Sequence, residues 1–171
     1  MRRYYLRTCH ADMTSYNGFQ WPGVGETVTA PDWSPVAECG QGLHGLLDGV
    51  GDGGLLNWSP EAKWIVFSSA NKPVDLIVKH KVKTARVEFV GNRKTATDWL
   101  MAHVAADKPV VGGYKTGGYR STLTGGDGST LCWRVWDGAR YRLHVRYVAE
   151  DGIKSSTPYR FVDGKIAEVK L

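Results

Sequence analysis

Apolar and polar residues along the chain alternate over short stretches more often than they recur at helical spacing, and glycine, proline and Asn/Asp close most of those stretches. Residues 3–8 (Arg-Tyr-Tyr-Leu-Arg-Thr) predict an opening strand, and Asn17-Gly18 marks a turn before Phe19, Gln20 and Trp21. Residues 26–30 suit an edge strand within irregular surroundings. The β-branched run 64–67 predicts a buried strand, and Ser59-Pro60-Glu61 just before it has the cap and first-position proline of one helical turn. Over residues 74–90, Leu76, Val78 and Val82 share one parity and Lys79, Lys81 and Lys83 the other, which predicts a strand with one apolar and one cationic face.

Only one stretch has convincing helical spacing, about 95–106, with Thr95 as N-cap, Asp98 three residues on, and Trp99, Leu100 and His103 along it; Asp107-Lys108-Pro109 ends it. Seven glycines between Gly40 and Gly54 argue against a packed helix and predict a surface loop. Beyond Pro109 the pattern Gly-x-x-Ser-Thr-Leu occurs at 118–123 and again at 126–131, compatible with two rungs of a short β-coil. Asp137-Gly138 and Asp163-Gly164 each predict a two-residue type I′ hairpin turn. The expected class is α+β and predominantly β, with antiparallel sheets and one main helix. Residues 1–108 form a mixed α+β unit, and 109–171 an all-β unit of repeats and hairpins packed against it.

Composition sharpens this picture in three ways. Twenty-one glycines and seven tryptophans fit short strands and tight turns. Cys9, Cys39 and Cys132 are an odd, widely spaced set that points to a reducing compartment, and no apolar run of signal-peptide or membrane-span length follows the N-terminal arginines, so the cytoplasm is expected. The net charge of +5 is uneven: residues 1–60 carry three Lys/Arg against six Asp/Glu, and residues 61–171 nineteen against eleven. That balance raises the prior for an acidic partner, nucleic acid included, by a modest amount.

Candidate chemistry is sparse. Cys39 and His44, with the pair Cys9-His10, offer four zinc-type donors, but without the close knuckle spacing of a metal site; packing cysteines and a turn histidine are the expected reading, and no metal is expected. No phosphate-cradle ending follows Gly49–Gly54 in sequence, and no cofactor is expected. A two-residue turn at Asp137-Gly138 sets Trp133 opposite Arg142 and Val135 opposite Arg140, with His144 and Arg146 continuing the same face. A tryptophan interleaved with arginines on a sheet is the pattern that single-stranded nucleic acid uses, and Lys79, Lys81 and Lys83 would extend it. A solvated face with a local cation–π pair, and a lysine-lined edge strand, read the same residues without a ligand.

The chain as a whole resembles a family of uncharacterised phage and prophage proteins. The resemblance runs through Gly18-Phe19-Gln20, Gly25-Glu26-Thr27-Val28, the Cys39-x-x-Gly-Leu-His44 step, the strand at 64–67, the Gly-x-x-Ser repeats, and the ending Gly152-Ile153-Lys154 … Tyr159-Arg160 … Asp163-Gly164-Lys165. It implies a host bacterial cytoplasm and an accessory protein that binds a host protein or ribonucleoprotein complex, for example to inhibit a nucleic-acid-directed defence system, with no membrane partner. Two alternatives stay open. One is a single-stranded nucleic-acid-binding protein. The other is an enzyme, since the opening aromatic strand and the later Gly-Leu-His step also resemble ADP-ribosyltransferase folds, in which Glu150 or Glu168 would supply the late catalytic glutamate. A deep cleft in which His44 and a carboxylate converge favours the enzyme, and a flat charged face favours the binder.

Overall fold

The computed structural model describes residues 2–105, 108–113, 115–118, 120–126 and 129–169. The chain divides into two compact units, Met1–Gly113 and Tyr114–Leu171. The boundary falls after the Pro109 expected from the sequence, because Val110 is buried among Leu6, Leu46 and Leu100 and the Val111 amide donates to the Gly49 carbonyl.

The described residues of the first unit hold β1 (Arg3–Cys9), β2 (Thr27–Thr29), β3 (Leu43–Leu47), β4 (Lys63–Ser69), β5 (Val74–Asp75), β6 (His80–Val82), β7 (Thr84–Gly91) and the helix α1 (Arg93–Met101). The strands form one antiparallel sheet in the order β2-β7-β4-β1-β3-β6-β5. β4 is an interior strand between β7 and β1, as its β-branched run implies, with six of seven residues buried. One face packs Tyr5, Ile65, Phe67 and Val87 against Trp21, Ala30 and Leu43; the other packs Leu6, Leu46, Trp64 and Val66 against Ala96 and Leu100 of α1.

Several expectations are corrected here. The glycine-rich stretch is no surface loop at its start: β3 lies inside the sheet, and glycine is needed at position 45, where a Cβ would stand 2.9 Å from the Phe67 ring and 3.0 Å from Tyr5 Cβ. The helix begins earlier and is shorter than 95–106. Asn92 is its cap, accepting from the Thr95 amide, which satisfies one of the free N–H groups of the first turn. Ser59-Pro60-Glu61 makes a turn, closed by the Ala62 amide on the Ser59 carbonyl, and not a helical one. The 74–90 stretch is no continuous strand. It breaks between β5 and β6, where Ile77 adopts φ 72° and is almost fully exposed, and Lys81 is fully buried where a solvent-facing lysine was expected.

The second unit contributes β8 (Lys115–Gly118), β9 (Thr122–Leu123), β10 (Thr130–Trp136), β11 (Tyr141–Tyr147), β12 (Tyr159–Val162) and β13 (Lys165–Glu168), in two three-stranded sheets ordered β11-β10-β8 and β13-β12-β9. Its core joins Leu123, Leu131, Trp133, Val148, Ile153, Tyr159 and Phe161. The two Gly-x-x-Ser-Thr-Leu copies go to different sheets, Thr122 and Leu123 to β9 and Thr130 and Leu131 to β10, so they do not stack as rungs; Tyr119, Asp127 and Gly128 lie outside the described residues. Asp163 (φ 48°) and Gly164 (φ 78°) form the two-residue hairpin turn between Val162 and Lys165, both with the positive φ of a type I′ turn. The other hairpin differs: Trp136 pairs with Tyr141, so the connection has four residues and Trp133 lies opposite His144, not Arg142. The Asp137 carboxylate, which accepts from the Ala139 and Arg140 amides, holds this longer turn.

Candidate functional site

In the first unit β1 and β3 pair at Tyr5–Leu47 and Leu6–Leu46, yet β1 continues to Cys9 and β3 begins at Leu43. The two strands therefore part at Arg7, and a cleft of about 580 Å³ opens there, within the size range of small-molecule sites. Leu6, Arg7 and Thr8 line one side, residues 43–46 the other, and Tyr16, Asn17 and Phe19 contribute from the loop after β1.

Arg7 sits on the same face of β1 as the buried Tyr5 and Cys9. Its guanidinium lies 4.4 Å from the Trp21 ring centre and donates to Ser15 Oγ (2.8 Å) and, across the gap between the strands, to the His44 carbonyl (3.3 Å). Its Nε is buried without a hydrogen-bond partner, and among the described residues no carboxylate pairs with it. Burial pulls its pKa down to about 10, so it stays charged at neutral pH. His44 Nε2 is also buried and unpartnered. Burial, and then the cations Lys79, Arg7 and Lys81, push the imidazole down to about 4, so it is neutral at pH 7.

At the lip of the cleft, Lys79 Nζ stands 3.1 Å from the exposed Cys39 Sγ and holds that thiol below its ordinary pKa by donating a hydrogen bond. Lys81 fixes the loop that carries Cys39, with its buried ammonium donating to the Glu38 (2.9 Å) and Gly40 (3.1 Å) carbonyls. Of the three lysines taken as one cationic face, Lys79 lines the cleft, Lys81 is buried, and only Lys83 faces solvent as expected. Cys39 and His44 do line one cleft, but no group of three or more His, Cys, Asp or Glu suited to a metal forms among the described residues. The Arg7 position carries a signal in the sequence: it is a charge flanked on its own face by the buried Tyr5 and Cys9, whereas Arg3, at the same parity, stands at the exposed start of the strand.

A family profile described as "Domain of unknown function (DUF7666)" matches residues 4–102, a span that contains every residue lining the cleft. The chain belongs to the DUF7666 family. Two bacterial proteins share sequence with it. The ice nucleation protein of Xanthomonas campestris pv. translucens is 36% identical over 102 residues, covering 58% of this chain and 6% of that protein. The ice nucleation protein of Pseudomonas fluorescens is 31% identical over 103 residues, covering 58% of this chain and 8% of that protein. The chain thus spans less than a tenth of the length of these relatives. No solved structure matches it significantly.

The remaining sequence-derived residues lie outside the DUF7666 match, in the second unit. Trp133 is fully buried and its indole N–H donates to the Ser121 carbonyl (3.0 Å), so its ring is not presented to solvent. His144 packs on Phe161, with ring centres 4.2 Å apart, which makes the Trp133/His144 face an inner one. Arg142 bonds Asp137 (2.6 Å), Arg146 donates to its own neighbour's carbonyl at Val145, and Arg140 belongs to the exposed turn. Sequence reasoning missed the opposite face of the same hairpin, where Arg134, Trp136, Tyr141, Leu143 and Tyr147 are exposed. Glu150 and Glu168 belong to this second unit as well, and Glu168 pairs with Lys154 (3.2 Å). No helix among the described residues is long and apolar enough to cross a membrane.

Proposed function

We propose that this protein is a binding protein whose DUF7666 unit captures a small anionic ligand, a carboxylate or phosphate compound, in the cleft between β1 and β3. The observation that carries the reading is Arg7: a guanidinium at the floor of a cleft, with a buried, unpartnered Nε and, among the described residues, no carboxylate in salt-bridge contact. A buried cation without a counter-charge is costly, and an anionic ligand offsets that cost in the bound state only. His44, neutral at pH 7, adds a polar edge without adding charge, and Leu43, Leu55 and Leu56 supply an apolar wall for the ligand body.

This reading keeps the interaction role suggested by the phage and prophage resemblance, and the bacterial cytoplasm as its setting. It makes the host component a small anion in a cleft. The ADP-ribosyltransferase alternative receives less support, because neither Glu150 nor Glu168 is among the residues that line the cleft.

The test is calorimetric titration of the full chain with inorganic phosphate, citrate and ADP, each up to millimolar concentration. At least one should bind, and Arg7→Met should weaken it by about 2 kcal/mol or more, roughly 30-fold. Arg7→Lys keeps the charge and controls for folding, with the melting temperature of each variant measured alongside. Absence of binding for all three anions, or equal binding by a folded Arg7→Met, would sink the proposal.

A further inference from the structure

The second unit presents a sheet face that the cleft does not explain. Side chains alternate along β10 and β11: Leu131, Trp133 and Val135 point into the unit's core, and Thr130, Cys132, Arg134 and Trp136 point the other way. The register sets Trp136 beside Tyr141, Arg134 beside Leu143, and Thr130 beside Tyr147 on that outward face. Trp136, Tyr141, Leu143 and Tyr147 are 55%, 54%, 67% and 49% exposed, so three aromatic rings and a leucine share one surface. The Arg134 guanidinium lies 4.1 Å from the Tyr141 ring centre, and Trp136 meets Tyr141 edge-on at 5.2 Å.

Charge selects the occupant. Residues 114–171 carry ten Lys/Arg against six Asp/Glu, a net +4 of the chain's +5. Arg134 on this face and Arg140 in the adjoining turn are both exposed, and among the described residues no acidic side chain lies on the outward positions of either strand. An apolar partner protein would leave those cations unanswered, whereas a polyanion with flat apolar groups answers both features. Tyr141 and Tyr147 are six residues apart on one strand, about 20 Å, enough for several unpaired bases.

We propose that the outward face of β10 and β11 binds single-stranded nucleic acid, with bases stacking on Trp136, Tyr141 and Tyr147 and phosphates meeting Arg134 and Arg140. Stacking on rings is tolerant of base identity, so binding is independent of sequence and needs unpaired bases. It weakens with salt in proportion to the few phosphates contacted.

The experiment is fluorescence anisotropy of labelled oligothymidylate and oligouridylate of about 20 nucleotides, with a duplex of equal length as competitor, on the full chain at low and moderate salt. Single strands should bind and the duplex should compete poorly. Trp136→Ala and Tyr147→Ala should each weaken binding about fivefold or more, and Arg134→Met should flatten the salt dependence. These positions are exposed, so the melting temperature should hold, and Arg7→Met in the other unit should leave oligonucleotide affinity unchanged. No binding at low salt, equal affinity for duplex, or variants that bind like the parent would each overturn the proposal. So would a dimer in sedimentation that Leu143→Arg dissociates, since a second copy would then occupy the face.

Discussion

Two arginine–aromatic pairs, one in each unit, have nearly the same geometry and opposite surroundings. Arg7 lies 4.4 Å from the Trp21 ring centre, and Arg134 lies 4.1 Å from that of Tyr141. Trp21 is 2% exposed, donates to Ser15 Oγ and packs on Phe67 and Phe19, so its pair belongs to the floor of a cleft; Tyr141 is 54% exposed and its pair belongs to solvent. Cation–π attraction is worth more where water is excluded. The difference teaches that the contact does not define its role. In the first unit the aromatic ring holds a cation that has no anion, which prepares the site for one; in the second, ring and cation are both left available at a surface.

The sharpest way to break that contrast is to remove each ring in turn. Trp21→Ala deletes a buried indole with its hydrogen bond and should cost about 3–5 kcal/mol of stability, whereas Tyr141→Ala should stay within about 0.5 kcal/mol of the parent. Chemical denaturation followed by circular dichroism measures both. Equal losses at the two positions would mean that burial does not separate the pairs.

A smaller effect tests the electrostatics of the cleft through pH. His44 takes up its proton near pH 6.5 in the unfolded chain and near 4 in the folded one. Between those values the unfolded state binds more protons, so stability falls as pH drops from about 6.5 to about 4 and is independent of this group above 6.5. Melting temperatures over that window should decline on acidification, and His44→Gln should flatten the decline. An unchanged slope in the variant would place the acid sensitivity on other groups.

The sequence was legible where one strand's own pattern decides its environment. Residues 64–67 are β-branched and aromatic and become a buried interior strand of the sheet. The hairpin at Asp163-Gly164 follows from two positive-φ residues that match the strand twist. It was less legible where a neighbour decides. Gly45 reads as a loop residue until Phe67 and Tyr5 close on it from adjacent strands. Lys81 has the parity of a solvent-facing lysine, but the carbonyls of Glu38 and Gly40, some forty residues earlier, receive its ammonium. On the β10–β11 hairpin, lengthening the turn from two to four residues shifts the pairing by two and leaves the parity intact. The choice of inner face then falls to Tyr159 and Phe161 of the other sheet, which the hairpin sequence does not contain. The cleft itself was hidden because it depends on where two strands stop pairing.

The smallest expected effect compares the lip of the cleft with one buried position in each unit through the three cysteines. Cys9 is buried beside Met13 and pushed up to about 11, and burial raises Cys132 as well, so both are protonated and shielded at neutral pH. Cys39 is exposed, and the hydrogen bond from Lys79 lowers its pKa, followed by the Coulombic pull of Lys79 and Lys81. Because the thiolate is the reacting species, iodoacetamide should label Cys39 ahead of the other two, with the sites read by mass spectrometry. Lys79→Ala should slow that labelling severalfold at neutral pH and leave Cys9 and Cys132 unaffected. The gap should narrow as pH rises above the ordinary thiol value, where the variant's Cys39 ionises without help. Labelling of Cys39 at the same rate in parent and variant would mean that Lys79 does not set the charge at the mouth of the cleft, and that its positive field begins only at Arg7.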